Sequence, residues 1–211
     1  MFEVLMYLCS FILIPLNRRI LGNCRGSVTR DLIRVFGADL PFILPIFYYE
    51  VTKKTFSFSV SPFYYLLSIG AAIICLTIQF DKFKPFLQKD IYYILPPMSL
   101  RYFIIMQYTY FSSAILEEFF YRALFPNLGS YWLEATLSGV LFCIAHYIQP
   151  ETRARYNIRS YLIIFGLSLI WYASYYYSHS IIPVMLGHLV YNSLGSYSSL
   201  IRYRVSKEFG N

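Results

Sequence analysis

Residues 112–125 read SSAILEEFFYRALF, an apolar run that carries three charged side chains, and this stretch decides the fold. A charged side chain at bilayer depth is unfavourable by roughly 3 to 17 kcal/mol, so it is retained mainly where it lines a cavity or takes part in chemistry. The whole chain is apolar enough for a bilayer, since 57% of its 211 residues are hydrophobic and only 14% are charged. Soluble domains carry about 25% charged residues. The stretch therefore predicts a membrane protein with a buried polar site.

Apolar segments that are long enough to cross a bilayer recur on both sides of this stretch. A transmembrane helix needs about 20 predominantly apolar residues. We predict an all-α fold, a polytopic transmembrane helical bundle of about seven (six to eight) spans that forms a single integral-membrane domain over residues 1–211. The Pro96-Pro97 pair predicts a break near the start of the fourth span. The predicted spans are 2–16, 35–51, 60–80, 91–125, 130–149, 160–178 and 181–201.

The basic residues predict the orientation of the bundle. Of the 18 Lys and Arg residues, 14 fall on alternate loops and on the C-terminal tail, and the intervening loops hold only Lys53 and Lys54. The positive-inside rule then places the N-terminus outside and the C-terminus in the cytoplasm. It also explains the net charge of +7 without a nucleic-acid partner. We expect a bacterial cell membrane, or an endomembrane if the source is eukaryotic.

The cysteines predict no metal or disulfide site, and the N-terminal segment does not have the pattern of a cleaved signal peptide. Cys9, Cys24, Cys75 and Cys143 form no C-x-x-C pair, so neither a zinc knuckle nor a redox motif nor a disulfide scaffold is expected. Residues 1–16 lack the positive leader and the small-residue cleavage site of a signal peptide. We interpret them as a first span or signal anchor.

Strongly polar residues at bilayer depth fall in three of the predicted spans. They are Glu117, Glu118 and Arg122 in the fourth span, His146 in the fifth, and His188 and Asn192 in the seventh. On a helix, residues four apart share a face, whereas adjacent residues diverge by about 100°. Glu118 and Arg122 are therefore predicted to form an i,i+4 ion pair. Glu117 then points in another direction and is the candidate general base.

The histidines and their neighbours suggest further roles. His188 and Asn192 are also four apart, and as donors on one helix face they are suited to holding a developing oxyanion. Phe142 lies one turn before His146 and is expected to flank the site, whereas His179 is expected to be exposed or interfacial. Taken singly, each group also has a structural explanation as a salt bridge or an interhelical hydrogen bond. Their conjunction in three spans indicates a reaction centre.

Three short motifs made by these residues carry a family resemblance. E-E-x-x-x-R at 117–122, F-x-x-x-H at 142–146 and H-x-x-x-N at 188–192 occur in this order on apolar segments. Together they resemble the motifs of the CPBP family, the CAAX proteases and bacteriocin-processing enzymes also called the Abi family, which includes the Ras-converting-enzyme type of CAAX prenyl endopeptidase. The resemblance covers residues 91–201, which we interpret as the catalytic core.

The resemblance implies an intramembrane endopeptidase that cleaves a membrane-associated or lipidated, CAAX-like peptide. The implied partners are the lipid bilayer and a peptide or lipidated-protein substrate. It also implies a role for each motif residue: water activation for Glu117 and His146, oxyanion stabilisation for His188 and Asn192, and structural support for Glu118, Arg122 and Phe142.

Zinc is the cofactor that this set of residues has the ligands to bind. Glu117, His146 and His188 are enough ligands for a Zn²⁺ ion with an open coordination position, but the sequence contains no H-E-x-x-H. Because the resemblance implies direct activation of water by the glutamate and histidine, we expect a metal-free enzyme without a cofactor, with zinc as the alternative.

Two other functional classes compete with the protease. A non-proteolytic bacteriocin self-immunity or partner-binding membrane protein would keep the motifs for structure alone. A small transporter or proton channel would use buried Glu and His as a proton relay, although the sequence lacks the internal inverted repeat of many transporters.

The predicted boundaries contain one geometric conflict. At about 1.5 Å per residue they scatter Glu117, His146 and His188 over roughly 15 Å of depth. Helix tilt, a broken fourth span, an unwound start to the seventh span or a displaced boundary would bring them together.

Overall fold

The computed structural model describes residues 2–21, 27–47 and 53–209, and every regular element within these residues is helical. The longer helices are α1 Phe2–Leu21, α2 Val28–Ile43, α3 Pro62–Ile78, α4 Leu100–Glu118, α5 Tyr131–Ile148, α6 Ile158–Ser178 and α7 Ile182–Phe209. The shorter helical segments are Leu44–Phe47, Lys53–Phe56, Phe80–Phe83, Lys84–Leu87, Asp90–Tyr93, Phe119–Ala123 and Pro150–Arg155. The predicted all-α class is confirmed for this part of the chain. Cys24 and Arg25 lie outside the described residues, as do the side chains of Arg18, Lys53 and Lys54.

The second predicted span begins inside a helix that starts earlier, and its last residues, 48–51, lie outside the described residues. The span was placed at 35–51, but α2 begins at Val28 and ends at Ile43. Ser27 caps the helix because its hydroxyl accepts a hydrogen bond from the backbone N–H of Arg30 at 3.2 Å, which satisfies one of the unpaired donors of the first turn. The helix therefore begins at polar residues, where the apolar pattern of the sequence does not indicate a start.

The fourth predicted span is broken, as its proline pair indicates. A short helix ends at Tyr93, the chain passes through Pro96 and Pro97 without regular structure, and α4 starts only at Leu100. The Ser99 hydroxyl caps α4 by accepting from the N–H of Tyr102 at 3.2 Å. The break that the proline pair predicts therefore separates a short helix at the predicted start from α4, which carries the first motif.

A π-helical turn continues α4 beyond Glu118. It covers Phe119–Ala123 and is closed by a hydrogen bond from the N–H of Leu124 to the carbonyl of Phe119 at 2.9 Å. A π turn adds a residue to the helix and rotates the residues that come after it, and such turns are frequent at functional sites. Arg122 lies on this turn, so its direction differs from that on an uninterrupted α-helix.

Fewer helices than predicted satisfy a simple criterion for spanning a membrane. Within the described residues, Glu3–Leu21 and Ile158–Ser178 are long and apolar enough, and the pair Pro62–Ile78 and Phe80–Leu87, bent by 67°, adds a third if it counts as one span. The helices that carry the charged motifs do not qualify, because buried polar residues lower their hydropathy. The count of seven spans stays a prediction.

The long C-terminal helix α7 brings the motif residues to one depth. It packs between α3 and α4, while α5 packs against α6. Gln107 of α4 donates to the Ser196 carbonyl at 3.1 Å and to the Ser199 hydroxyl at 2.6 Å, which fixes the antiparallel register of α4 and α7. With α4 starting at Leu100, Glu118 lies level with His188. A broken fourth span and a displaced boundary thus remove the depth conflict for these two helices.

Candidate active site

The Glu118 carboxylate links the first and third motifs. It is fully buried, and its Oε2 lies 3.3 Å from Nε of Arg122, the ion pair that the i,i+4 spacing predicts. Its other oxygen, Oε1, lies 2.7 Å from Nδ1 of His188 on α7. Because a carboxylate only accepts hydrogen bonds, Nδ1 carries the ring hydrogen and the His188 tautomer is set by Glu118.

The Arg122 guanidinium extends this network to two further helices. Its NH1 donates to the Ser138 hydroxyl of α5 at 3.3 Å, and its NH2 donates to the Ser168 hydroxyl of α6 at 3.0 Å. Ser138 in turn donates to the Tyr121 carbonyl at 2.6 Å. The arginine side chain is completely shielded from solvent, and its planar fork suits several fixed acceptors. It therefore fixes α4, α5 and α6 around Glu118.

An aromatic wall joins the second motif to this network. The Phe142 ring lies 5.5 Å from the Arg122 guanidinium carbon, 4.5 Å from the His146 ring and 6.3 Å from the His188 ring, between ring centroids. Trp171 stacks on the other side of His188 at 5.1 Å. Phe142 thus contacts both histidines, as its position one turn before His146 predicts, and the histidine rings line a largely apolar site.

Gly187 allows α7 to approach α3 closely beside His188. A Cβ atom at this glycine would lie 2.7 Å from the Ser68 carbonyl oxygen and 2.9 Å from the Trp171 indole nitrogen. These two atoms are themselves joined by a hydrogen bond of 3.1 Å. The position of His188 therefore depends on the absence of a side chain at the preceding residue.

Tyr156 lies against both groups predicted to activate water. Its ring stacks on His146 with centroids 6.2 Å apart and planes inclined by 16°. Burial raises the pKa of its phenol, and the nearby Tyr191 phenol and Glu117 carboxylate raise it further. Glu117 itself is 7% exposed. Tyr156 comes directly after the short helix Pro150–Arg155, so a loop residue between α5 and α6 completes one side of the site.

Asn192 contacts α4 rather than the histidines. Its amide nitrogen donates to the Tyr110 carbonyl at 2.9 Å and to the Ser113 hydroxyl at 3.2 Å. Both amide hydrogens are therefore engaged about one helical turn away from the pair of Glu118 and His188. The structure thus brings Glu118, Arg122, Phe142, His146 and His188 into one contact network and holds Asn192 at its edge. His179, expected outside the site, is not buried and ends α6 with a left-handed φ of 53°.

The contacts of the two motif histidines bear on the alternative of a zinc site. No group of three or more His, Cys, Asp or Glu side chains there could hold a metal ion. Nδ1 of His188 faces Glu118, and Nδ1 of His146 lies 2.9 Å from the Phe142 carbonyl. Histidines that bind zinc through Nε2 commonly make this kind of contact through Nδ1, so the metal-free site stays a prediction.

Sequence reasoning missed several residues that complete the site. Ser138 has a detectable signal, because it lies four residues before Phe142 and eight before His146 on the same helix face. Ser168 and Trp171 have no such signal, since no motif on α6 marks which of its polar and aromatic residues face inward. Tyr156 lies in a loop, and only the packing of that loop shows that it covers His146.

Comparisons with known proteins cover part of the chain. Residues 99–194 match the family model described as "Type II CAAX prenyl endopeptidase Rce1-like". The matched residues include all three motifs and lie inside the segment 91–201. Neither the curated proteins nor the solved structures contain a match to this chain.

Proposed function

Residues 99–194 match the type II CAAX prenyl endopeptidase Rce1-like family model, and on this match we propose that the chain is an intramembrane endopeptidase that cleaves a membrane-associated or lipidated, CAAX-like peptide. The observation that carries the proposal is the fully buried Glu118, which links Arg122 to His188 while Phe142 holds His146 beside them. A buried ionic network of this kind supports a reaction site because it sets a histidine tautomer next to a second histidine and a glutamate.

Glu117 is the proposed general base, with His146 as its partner in activating water. The carboxylate accepts a proton from the water, and the water oxygen forms a bond to the carbonyl carbon of the scissile peptide. The carbonyl oxygen then carries the negative charge of a tetrahedral intermediate. When the C–N bond breaks, the proton passes from Glu117 to the departing amine, so that the glutamate returns to its starting state.

His188 is the proposed stabiliser of the oxyanion. Since Nδ1 donates to Glu118, the outward Nε2 can donate only when the ring carries both hydrogens. The Glu118 carboxylate lies beside both His188 and Arg122, so Arg122 keeps a cation next to it when His188 is neutral. The oxyanion role predicted for Asn192 requires its amide to leave Tyr110 and Ser113. No step is assigned to a metal ion.

The location in the membrane rests on the apolar helices and the basic loops. The apolar α1 and α6 support integration into a bilayer, and the alternating basic loops favour an outside N-terminus and a cytoplasmic C-terminus. The loop that carries Tyr156 is then cytoplasmic, on the side from which a lipidated cytoplasmic peptide would enter the site.

The test is cleavage of a lipidated peptide by the Glu117→Gln variant. The purified protein in liposomes is mixed with an internally quenched peptide whose farnesylated cysteine precedes three C-terminal residues, and with the same peptide without the farnesyl group. Loss of the general base is expected to lower kcat by about 10²- to 10⁴-fold. Glu208→Gln is the matched control, because the Glu208 side chain is 52% exposed and pairs with Lys89 at 3.7 Å, away from the motifs.

Two results would contradict the proposal. One is wild-type turnover by Glu117→Gln, which would remove the glutamate from the chemistry. The other is the absence of cleavage of either peptide by the wild-type protein. Cleavage of the farnesylated peptide alone would assign the lipid to substrate recognition.

A further inference from the structure

The site contains fewer available hydrogen-bond donors than the proposed reaction needs. A tetrahedral oxyanion is usually held by two or more donors that are positioned before the reaction begins. Both amide hydrogens of Asn192 are engaged by α4. The Arg122 guanidinium is fully buried and faces Glu118, Ser138 and Ser168. Among the groups that the motifs predict as donors, this leaves Nε2 of His188, and it donates only from the charged ring.

Tyr156 has the geometry of the missing donor. Its ring is fixed on two sides, stacked on His146 at 6.2 Å and edge-on to Tyr161 at 5.6 Å between centroids. It is half-buried, and its phenol makes no hydrogen bond to any group that the structure describes. The Glu117 carboxylate and the Tyr191 phenol are near enough to raise the pKa of the Tyr156 phenol. A rigid ring with an unused O–H is thus positioned beside the proposed base.

We infer that Tyr156 is a catalytic residue whose phenol O–H donates a hydrogen bond to the oxyanion of the tetrahedral intermediate, on the side of the site formed by Glu117 and His146. The inference rests on the proposed function. No covalent bond to Tyr156 forms or breaks, and its proton stays on the phenol throughout, so the proton balance of the reaction is unchanged.

The protonation state of the phenol agrees with this role. Burial first, and then Tyr191, Glu117 and Tyr161, raise the pKa of Tyr156, against a smaller lowering by Arg155. The phenol therefore stays protonated at neutral pH and throughout the range in which a peptidase works. Tyr156 can donate whatever the charge on His188, which gives the site one donor that does not depend on histidine protonation.

The experiment compares Tyr156→Phe with Tyr161→Phe in the farnesyl-peptide assay. Both changes remove one phenol oxygen and leave the aromatic cluster in place. The Tyr161 oxygen is buried without a hydrogen-bond partner among the described residues, so its removal breaks no hydrogen bond. We expect Tyr156→Phe to lower kcat by roughly 10²-fold with KM and the thermal midpoint unchanged, and Tyr161→Phe to keep the wild-type kcat.

Each other outcome overturns the inference in a recognisable way. Wild-type kcat in Tyr156→Phe, with Glu117→Gln inactive in the same assay, removes Tyr156 from the chemistry and leaves the proposed function intact. An equal loss in Tyr161→Phe, or a change confined to KM or to the thermal midpoint, assigns Tyr156 to packing or substrate binding. If the wild-type protein cleaves neither peptide, the proposed function and the inference fail together.

Discussion

Two buried glutamates of this fold, Glu118 and Glu134, have different kinds of partner. Glu118 is 0% exposed and faces a guanidinium and an imidazole. Glu134, at the start of α5, is 6% exposed and accepts hydrogen bonds from the backbone N–H groups of Leu128 and Gly129 at 2.7 and 3.1 Å. Its second oxygen accepts from the Tyr172 hydroxyl at 2.9 Å. Glu134 thus accepts hydrogen bonds from neutral groups through both oxygens, whereas Oε2 of Glu118 has an ion pair with a cation.

The difference in partners distinguishes the proposed active site at Glu118 from a structural loop cap at Glu134. The partners of Glu134 are neutral groups that fold the loop 124–130 back onto α5, and none of them titrates near neutral pH. The partners of Glu118 are the guanidinium of Arg122 and the imidazole of His188, so this carboxylate belongs to an ionic network that joins two motifs. Burial of a carboxylate therefore does not indicate catalysis by itself, and the contact of Glu118 with His188 is what distinguishes the proposed site from the loop cap.

Removal of the cation beside Glu118 should have the largest effect on stability. Arg122→Met leaves a buried carboxylate without its ion pair and also removes the donors to Ser138 and Ser168. Loss of one partner of a buried pair typically lowers the free energy of unfolding by about 3 to 5 kcal/mol. We expect the thermal midpoint in detergent to fall steeply and the activity to be lost.

The double variant Arg122→Met/Glu118→Gln tests the cause of that loss. If the uncompensated charge is responsible, neutralising Glu118 should recover part of the stability, so that the double variant melts above Arg122→Met. Additive losses would show that Arg122 acts through its serine contacts alone. The contrast between a charged site and a neutral cap would then be wrong.

The next prediction concerns the close packing that holds the partner of Glu118. Gly187→Ala places a Cβ against the Ser68 carbonyl and the Trp171 nitrogen, so α7 must shift beside His188. Overpacking of this kind lowers stability by about 1 to 3 kcal/mol, and we expect kcat to fall because the contact of His188 with Glu118 lengthens. Gly166→Ala is the matched control, since nothing lies within 4 Å of its Cβ position.

The readout is the thermal midpoint together with kcat. Gly166→Ala should keep the wild-type kcat and gain up to about 1 kcal/mol from helix propensity. Wild-type turnover in Gly187→Ala would show that the geometry of His188 tolerates the shift and that the close packing serves stability alone.

The sequence predicts the local part of this architecture well. The i,i+4 rule correctly pairs Glu118 with Arg122, and the turn before His146 correctly places Phe142 beside it. Pro96-Pro97 correctly marks the break before α4. Each of these features depends only on residues within about one helical turn, where backbone geometry fixes which side chains meet.

The part that the sequence does not predict depends on contacts between distant helices. The bond between Glu118 and His188 requires the register of α4 against α7, which Gln107 and its serine partners set. The start of α2 depends on a cap rather than on an apolar pattern. The helices that carry the motifs do not meet a simple hydropathy criterion for a span, and polar motif residues in these helices lower their hydropathy.

The smallest effect is expected at the structural carboxylate. Glu134→Gln keeps an amide oxygen that accepts from Leu128 and Gly129, and its NH₂ group can donate to the Tyr172 oxygen, so only the charge is lost. The expected decrease in the free energy of unfolding is about 1 kcal/mol, with kcat at the wild-type value, measured by melting in detergent and by the peptide assay. A stable Glu134→Gln protein without activity would assign Glu134 to the reaction. Turnover would then require the charge of Glu134 and not only its hydrogen bonds to the loop. The two buried glutamates would in that case belong to one functional site.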